Sequence, residues 1–200
     1  MPLGQLKTVG DDVYYRVVTY IWAFVQLTFV IWAAFAFSSG RLTSGIEQAA
    51  FILGCALVTG GIGITVAHEL GHKNSAVERL CAKVLLLTVC YMHFIIEHNR
   101  GHHVSVATPE DPATARKNEN FYSFWARSVF GGYRHAWKLE AESLRRKGRK
   151  PFSVYNSMVW FAILPVVFCA ALTGVVSIIS GSPAWEVTVF FFAQRADSSW

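Results

Sequence analysis

Long uncharged stretches alternate with polar segments along this 200-residue chain. Residues 17–40, 48–67 and 151–185 contain no Asp, Glu, Lys or Arg. A helix rises about 1.5 Å per residue, so about 20 apolar residues cross the roughly 30 Å hydrocarbon core of a bilayer. The pattern therefore predicts an all-α, polytopic fold in which the whole chain forms a single membrane-embedded domain. The predicted spans are about residues 17–37, 49–67 and 154–179, with a truncated span that begins at about residue 185.

The apolar segment 80–96, "LCAKVLLLTVCYMHFII", is too short and too polar for a simple span, because it carries a lysine and a histidine. If it crossed the membrane, the histidines before it and after it would lie on opposite faces. We therefore expect an interfacial helix, or a shallow excursion that returns to the same face. The polar segment 97–150 is expected to be cytoplasmic, with a helix over residues 120–147.

Composition and charge agree with a membrane protein. Just over half of the residues (53%) are hydrophobic, and only 16% are charged. The net charge is +5, and eleven of the 18 Lys and Arg residues lie in segment 97–150. An excess of Lys and Arg beside membrane spans marks the cytoplasmic side, so this charge predicts topology and makes nucleic acid a poor candidate partner. Lys7 and Arg16 place the N-terminus on that same side, and the absence of a secretory-signal pattern indicates that the first span is retained.

Five of the seven histidines lie in two short runs, "HELGHK" (68–73) and "HNRGHH" (98–103). In each run two histidines are four residues apart, which places them on one face of a helix, where they can share a metal ion. A tetrahedral catalytic ion uses three protein ligands and one open position. Five imidazoles therefore indicate two metal ions, and a ligand set without thiolate suits iron and oxygen chemistry. The candidate ligands are His68, His72, His98, His102 and His103.

Other ionisable residues near these runs are assigned different roles. His93 lies in apolar surroundings, where it supports a ligand or packs in the core, and a direct ligand role stays open. His135 lies in a basic, polar helix and is predicted to be a surface residue. Glu69 and Glu97 flank ligands and either orient imidazole N–H groups or are solvated carboxylates at the interface. The four cysteines lie singly in apolar surroundings, which indicates buried thiols.

The runs "HELGHK" and "EHNRGHHVSVATPEDPATAR" resemble the first two histidine boxes of the integral-membrane alkane 1-monooxygenases, relatives of the membrane fatty-acid desaturases and hydroxylases. The resemblance extends from about "DDVYYR" (11–16), through "SVFGGYRHAWKLEAESLRRKG" (128–148), to about Phe192. It implies a non-haem di-iron centre, ligated by the five histidines named above, in a bacterial inner membrane with the metal site facing the cytoplasm. It also implies that medium- to long-chain n-alkanes are hydroxylated to 1-alkanols with O2 and electrons from rubredoxin and its reductase.

The sequence also departs from this family. The family continues with an "NYxEHYG"-like motif and a third box of "HSxHH" type, and neither occurs in these 200 residues. The ending "RADSSW" is polar where an apolar span is expected, and the membrane hairpin that usually opens the family does not precede the first span. We therefore expect a partial chain that lacks some of the iron ligands and does not hydroxylate alkanes by itself.

Three other functions fit parts of the pattern. A membrane fatty-acid desaturase, or another hydroxylase of the same superfamily, would carry similar boxes. "HELGH" matches the HExxH pattern of zinc proteases, with Glu69 as general base, but a protease leaves "EHNRGHH" unexplained. A haem-binding or metal-transporting membrane protein would place histidines inside spans rather than at their ends, and a haem protein would show a Soret band.

Overall fold

The computed structural model describes residues 13–198, which form helices joined by turns and loops, with no β-strand in this range. The all-α prediction is confirmed for these residues. Lys7, which contributed to the predicted topology, lies outside them. The helices are α1 (Val13–Ser38), α2 (Gly45–Gly71), α3 (Ala76–Thr88), α4 (residues 94–105), α5 (Phe121–Arg146), α6 (Ser157–Ser180) and α7 (Glu186–Ser198).

In the described part of the chain, α1, α2 and α6 are long and apolar enough to cross a membrane. They coincide with the three complete spans predicted from the sequence, apart from small shifts of their ends. Their outward faces carry large apolar side chains, such as Phe24 (72% exposed) and Ile178 (82% exposed). A soluble protein rarely exposes apolar surface of this extent, whereas lipid accommodates it. The fold is therefore that of an integral membrane protein.

Helix α2, which carries the first histidine run, begins at a capping box and contains a π-helical stretch. Ser44 Oγ accepts a hydrogen bond from Glu47 N (3.2 Å), and Glu47 Oε2 accepts one from Ser44 N (3.1 Å). Residues Leu57–Ile64 then form π-helix instead of α-helix. A Cβ atom at Gly63 would collide with the Gln26 side chain of α1. The glycine thus allows close packing of α1 on α2.

Buried amide side chains join three helices inside the apolar layer. Gln26 Nε2 donates to Thr88 Oγ1 (2.9 Å) at the end of α3, and Trp22 Nε1 donates to Gln26 Oε1 (3.1 Å). Gln194 Nε2 on α7 donates to the Thr88 carbonyl oxygen (3.3 Å). Polar groups at membrane depth need such internal partners, because lipid offers none. The hydrogen bonds therefore fix α3 and α7 against α1.

The segment predicted to be interfacial is a helix followed by a turn. Helix α3 ends at Thr88, and Cys90 adopts a left-handed conformation (φ 53°) before α4 begins. The turn directs α4 back to the end of α2. The position of this segment in the membrane interface stays a prediction, as do the cytoplasmic assignment of segment 97–150 and the other membrane boundaries.

Helix α5 begins and ends close to the predicted positions. Asn120 Oδ1 accepts a hydrogen bond from Ser123 N (3.0 Å) and caps the first turn. At the other end Gly148 has φ 68°, and Arg149 N donates to the Leu144 carbonyl oxygen (2.9 Å). This is the C-terminal arrangement that a left-handed glycine supports. The helix packs on α4 and so forms one wall of the histidine site.

Candidate metal centre

Four histidines from α2 and α4 meet where these two helices approach each other. His68 and His72 lie at the end of α2, and His98 and His103 lie on α4. The Nε2 atoms are separated by 3.3 Å (His68 to His72), 3.2 Å (His72 to His98), 3.0 Å (His98 to His103) and 3.4 Å (His72 to His103). Each histidine offers one nitrogen within 4.8 Å of the others, so the group could hold a metal ion.

The geometry of this group fits a metal centre. Two imidazole nitrogens bound to one ion at about 2.0–2.1 Å lie about 2.9–3.4 Å apart when the angle between them is about 90–110°. The separations of 3.0–3.4 Å fall in that range. Burial and the neighbouring histidines lower the pKa of His98 to about 4, and burial also lowers the pKa of His72. Both imidazoles are therefore neutral at pH 7, which is the form that binds metal.

A π-helical turn decides which histidines of the second run meet. Residues His98–His102 form this turn, in which hydrogen bonds connect residues five apart instead of four. His98 and His103 consequently share one face and contact each other. The expected i,i+4 pairing of His98 with His102 is replaced, although the two rings remain stacked with centroids 5.5 Å apart. The sequence spacing alone favoured α-helix, in which His102 rather than His103 would share the face of His98.

His102 is held apart from the other four by a buried carboxylate. Its Nδ1 lies 2.8 Å from Asp111 Oδ2, in the loop between α4 and α5. Burial raises the pKa of Asp111, but hydrogen bonds from Thr114, from Ala113 N and from His102 outweigh burial and hold this pKa below its ordinary value. Asp111 was not identified as a candidate site residue from the sequence. Its place before a proline indicates a turn, but nothing in the spacing indicates the pairing with His102.

Glu97 and His135 form a second buried pair, which corrects two predictions. His135 is not a freely exposed surface residue, because its ring is half-buried and its Nδ1 lies 3.1 Å from Glu97 Oε1. Glu97 is buried (6% exposed) and contacts this histidine, rather than solvent or a candidate ligand. Burial raises the pKa of Glu97, and His135 opposes that shift. The polar sequence of α5 concealed this pair, since it does not show which face packs on α4.

The Glu69 carboxylate pairs with a lysine and makes no hydrogen bond to the histidine cluster. Its Oε1 pairs with Lys73 Nζ at 2.8 Å, and its side chain is 57% exposed. The solvated role is therefore the one that the structure supports. A zinc protease would need this carboxylate beside a metal-bound water, so the geometry gives the protease alternative no support.

Neighbouring side chains fix the position of α4. Asn99 Nδ2 donates to the Gly71 carbonyl oxygen (3.3 Å) at the end of α2. Arg100 donates to Glu140 Oε2 (2.6 Å) and to the Leu139 carbonyl oxygen (3.1 Å) on α5. Two consecutive residues thus tie the second histidine run to both flanking helices.

Two cavities meet at His93. The smaller one, about 190 Å³, lies beside the histidine cluster and is lined by Tyr91, His93, Phe94, Glu97, His98 and His102, with Ala113, Ser128 and Gly132. The larger one, about 400 Å³, lies between α5 and α6 and has mostly apolar walls, including Phe161 and Pro165. His93 lines both and is buried (5% exposed), with its ring 5.1 Å from that of Tyr133. This position agrees with a supporting or core residue; a direct ligand role stays open.

Comparison with known proteins agrees with this site. The family model described as fatty acid desaturase matches residues 47–196, a range that includes both histidine runs. Alkane 1-monooxygenase of Pseudomonas putida is 40% identical over 171 residues, which is 86% of this chain and 42% of the relative. Alkane 1-monooxygenase 1 of Pseudomonas aeruginosa is 37% identical over 181 residues, which is 90% of this chain and 46% of the relative. The chain thus spans less than half the length of these curated relatives.

Proposed function

Because this chain belongs to the fatty acid desaturase family, we propose that it forms part of a membrane enzyme that hydroxylates medium- to long-chain n-alkanes to 1-alkanols. The observation that carries the proposal is the four-histidine cluster, with Nε2 separations of 3.0–3.4 Å. The cluster lies in a region that is similar to proteins named alkane 1-monooxygenase. The proposed substrates are the alkane and O2.

The five histidines would hold two non-haem iron ions. His68, His72, His98 and His103 would bind one ion, and His102 would contribute to the other. Bound iron would supply reductive activation of O2 for attack on an unreactive C–H bond. The chain's own contribution is to keep the ligands neutral and fixed: Phe94 stacks on the His98 ring with centroids 4.8 Å apart.

The alkane would be positioned by shape, because it offers no polar group for recognition. We assign its binding to the apolar cavity between α5 and α6, with the terminal carbon directed past His93 into the smaller cavity. Phe161 of α6 lines this cavity and would lie on the proposed route. A narrow apolar cavity also excludes water and holds the terminal carbon close to the site.

Electrons would come from rubredoxin and its reductase at the cytoplasmic face of a bacterial inner membrane. Rubredoxins are small and acidic, so an exposed basic surface suits them. Arg134 and Lys138 of α5 line a surface depression together with His135, whose ring contacts Glu97. Complementary charge at such a surface mainly accelerates encounter. This depression is our proposed docking position.

A chimaera tests the proposal. The matched part of this chain replaces the corresponding 171-residue region of the Pseudomonas putida alkane 1-monooxygenase, and membranes receive n-octane, rubredoxin, its reductase and a reductant. We expect 1-octanol by gas chromatography, and loss of both 1-octanol and bound iron in the His98→Ala chimaera. A folded chimaera that binds iron but forms no 1-octanol would contradict the proposed substrate and reaction.

A membrane fatty-acid desaturase is the second candidate, because the matching family model carries that description. The two functions differ in product, since a desaturase introduces a double bond into an acyl chain. The same chimaera membranes, supplied with isotope-labelled saturated acyl substrate, would then yield a labelled olefin. We expect no such olefin.

A further inference from the structure

We propose that Asp111 is a positioning residue for His102, and that the loop between α4 and α5 holds this carboxylate in place. The inference rests on the proposed function, because it treats His102 as a metal ligand. It adds a residue that lies outside both histidine runs and thirteen positions beyond the start of the second run.

The carboxylate of Asp111 is buried and fully engaged. Its side chain has 0% exposure. Oδ1 accepts a hydrogen bond from Ala113 N (2.9 Å), and Oδ2 contacts both Thr114 Oγ1 and His102 Nδ1, the latter at 2.8 Å. A buried carboxylate is unfavourable unless it is hydrogen-bonded, and these three contacts satisfy it.

This contact fixes the tautomer of His102. An ionised carboxylate can only accept hydrogen bonds, so Nδ1 of His102 must carry the proton. Nε2 then holds the lone pair and is the nitrogen that can bind metal. His102 lines the 190 Å³ cavity, and its ring stacks on that of His98. The Nε2 atom of His102 is therefore near the four-histidine cluster.

The surrounding loop is built to hold Asp111. Thr114 Oγ1 accepts a hydrogen bond from Ala107 N (2.9 Å), which closes the loop behind the carboxylate. Arg127 of α5 donates to the carbonyl oxygens of Pro112 (2.8 Å) and Thr114 (3.0 Å). The segment that follows Asp111 is thus attached to α5, and the carboxylate cannot turn away from His102 without losing its hydrogen bonds from Ala113 N and Thr114 Oγ1.

A carboxylate on the far nitrogen of a metal-binding histidine fixes the ring and increases its basicity, and its removal typically lowers metal affinity about 10–100-fold. We expect an effect of that size for Asp111→Asn, which keeps the shape but removes the charge. Thr114→Val keeps the carboxylate and loses one of its hydrogen bonds, so its effect should be several-fold smaller. Glu110→Gln removes an exposed charge from the neighbouring position and should leave affinity unchanged.

The test uses the 200-residue protein in detergent micelles, with Co²⁺ as the metal probe. Visible absorption measures Co²⁺ affinity, and ¹⁵N NMR of histidine-labelled, metal-free protein measures the tautomer of each ring. His102→Ala identifies the His102 signals by their loss. We expect a protonated Nδ1 in the wild type and in Glu110→Gln, and mixed tautomers with weaker Co²⁺ binding in Asp111→Asn.

The outcomes separate this inference from the function on which it rests. If His102→Ala weakens Co²⁺ binding and Asp111→Asn does not, the positioning role is wrong while the ligand assignment stands. If Thr114→Val and Asp111→Asn weaken binding equally, with the same loss of helicity, the loop is merely structural and the inference is wrong. Absence of 1-octanol from the chimaera refutes the proposed reaction, yet leaves a tautomer shift and a Co²⁺ effect as support for Asp111.

Discussion

Gly101 shows how a single residue without a side chain makes room for a buried pair. A Cβ atom at this position would lie 2.8 Å from Glu97 Oε1 and 2.9 Å from His135 Nδ1. Real Cβ atoms do not approach polar atoms so closely, and both neighbours are held by packing of α4 on α5. The contact between Glu97 and His135 therefore depends on glycine at this point of the π-helical turn.

We expect Gly101→Ala to lower the free energy of unfolding by about 1–3 kcal/mol, the usual consequence of overpacking. Thermal unfolding in micelles, followed by tryptophan fluorescence, measures the change. Gly54→Ala is the matched control, because a Cβ there has no neighbour within 4 Å and alanine favours helix. Equal midpoints for the two variants would show that the Glu97–His135 pair tolerates a methyl group.

At this scale the sequence identified the clustered histidines better than the residues that pair with their neighbours. The five candidate ligands were recognised because spacing along one helix predicts a shared face, and four of them do meet. Asp111 and His135 were not recognised, since each pairs with a residue on a different element. Such pairing depends on how a loop and two helices pack, which a local pattern does not specify.

Among the elements, the loop between α4 and α5 is held in place by hydrogen bonds from one arginine. Arg127 Nε donates to Glu119 Oε1 (2.9 Å), and the same guanidinium binds two loop carbonyls. The hydrogen bond from Arg127, together with one from Arg116 N, lowers the pKa of Glu119 to about 2. The end of the loop is thus attached to α5 by an ionised carboxylate.

This pKa predicts a pH-dependent contribution to stability. A carboxylate whose pKa is lower in the folded state stabilises the fold above its unfolded pKa, here about 4.5, and loses that contribution as the pH falls toward about 2. The wild type should therefore melt at a higher temperature than Glu119→Gln at pH 6, and this difference should shrink steadily below about pH 4.5. Glu110→Gln, in the same loop, serves as the control. A difference that stays constant from pH 6 to pH 3 would contradict the assignment.

The helices themselves were largely predictable, and their irregularities were not. Uncharged length predicted α1, α2 and α6, and a helix was expected over residues 120–147, where α5 lies. The π-helical stretches Leu57–Ile64 and His98–His102 were not predicted. Their extra residue per turn is stabilised by packing, such as Gln26 against Gly63, rather than by local preference.

For the whole molecule, contact between the two histidine runs requires that both lie on one side of the membrane. Helix α2 ends at the first run, α3 and its turn lead back, and α4 carries the second run to the same place. The turns at residues 39–44 and 181–185 lie at the other ends of α1, α2 and α6. The molecule is therefore expected to present its basic helix α5 and its histidines to a single compartment.

Cysteine labelling tests this topology. The four native cysteines are replaced by alanine, and single cysteines are introduced at Asn74, Ser123, Ser39 and Ser182. Intact cells and inverted vesicles are treated with an impermeant thiol reagent. We expect Asn74→Cys and Ser123→Cys to react only in inverted vesicles, and Ser39→Cys and Ser182→Cys only in intact cells. Opposite sidedness of Asn74→Cys and Ser123→Cys would refute the return of α3 to the same face.

The π-helical stretch of α2 has a consequence for how such a site can evolve. Each residue of an α-helix turns the chain by about 100°, so one residue gained or lost in α2, unless the π-helical stretch Leu57–Ile64 accommodates it, would rotate the end that bears His68 and His72 by about that angle. The apolar sequence on either side would be unchanged, and so would the histidines. The direction in which the candidate ligands point is thus set by the number of residues in the apolar helix that precedes them. A single codon inserted into or deleted from α2 could therefore change the orientation of His68 and His72 without replacing either histidine.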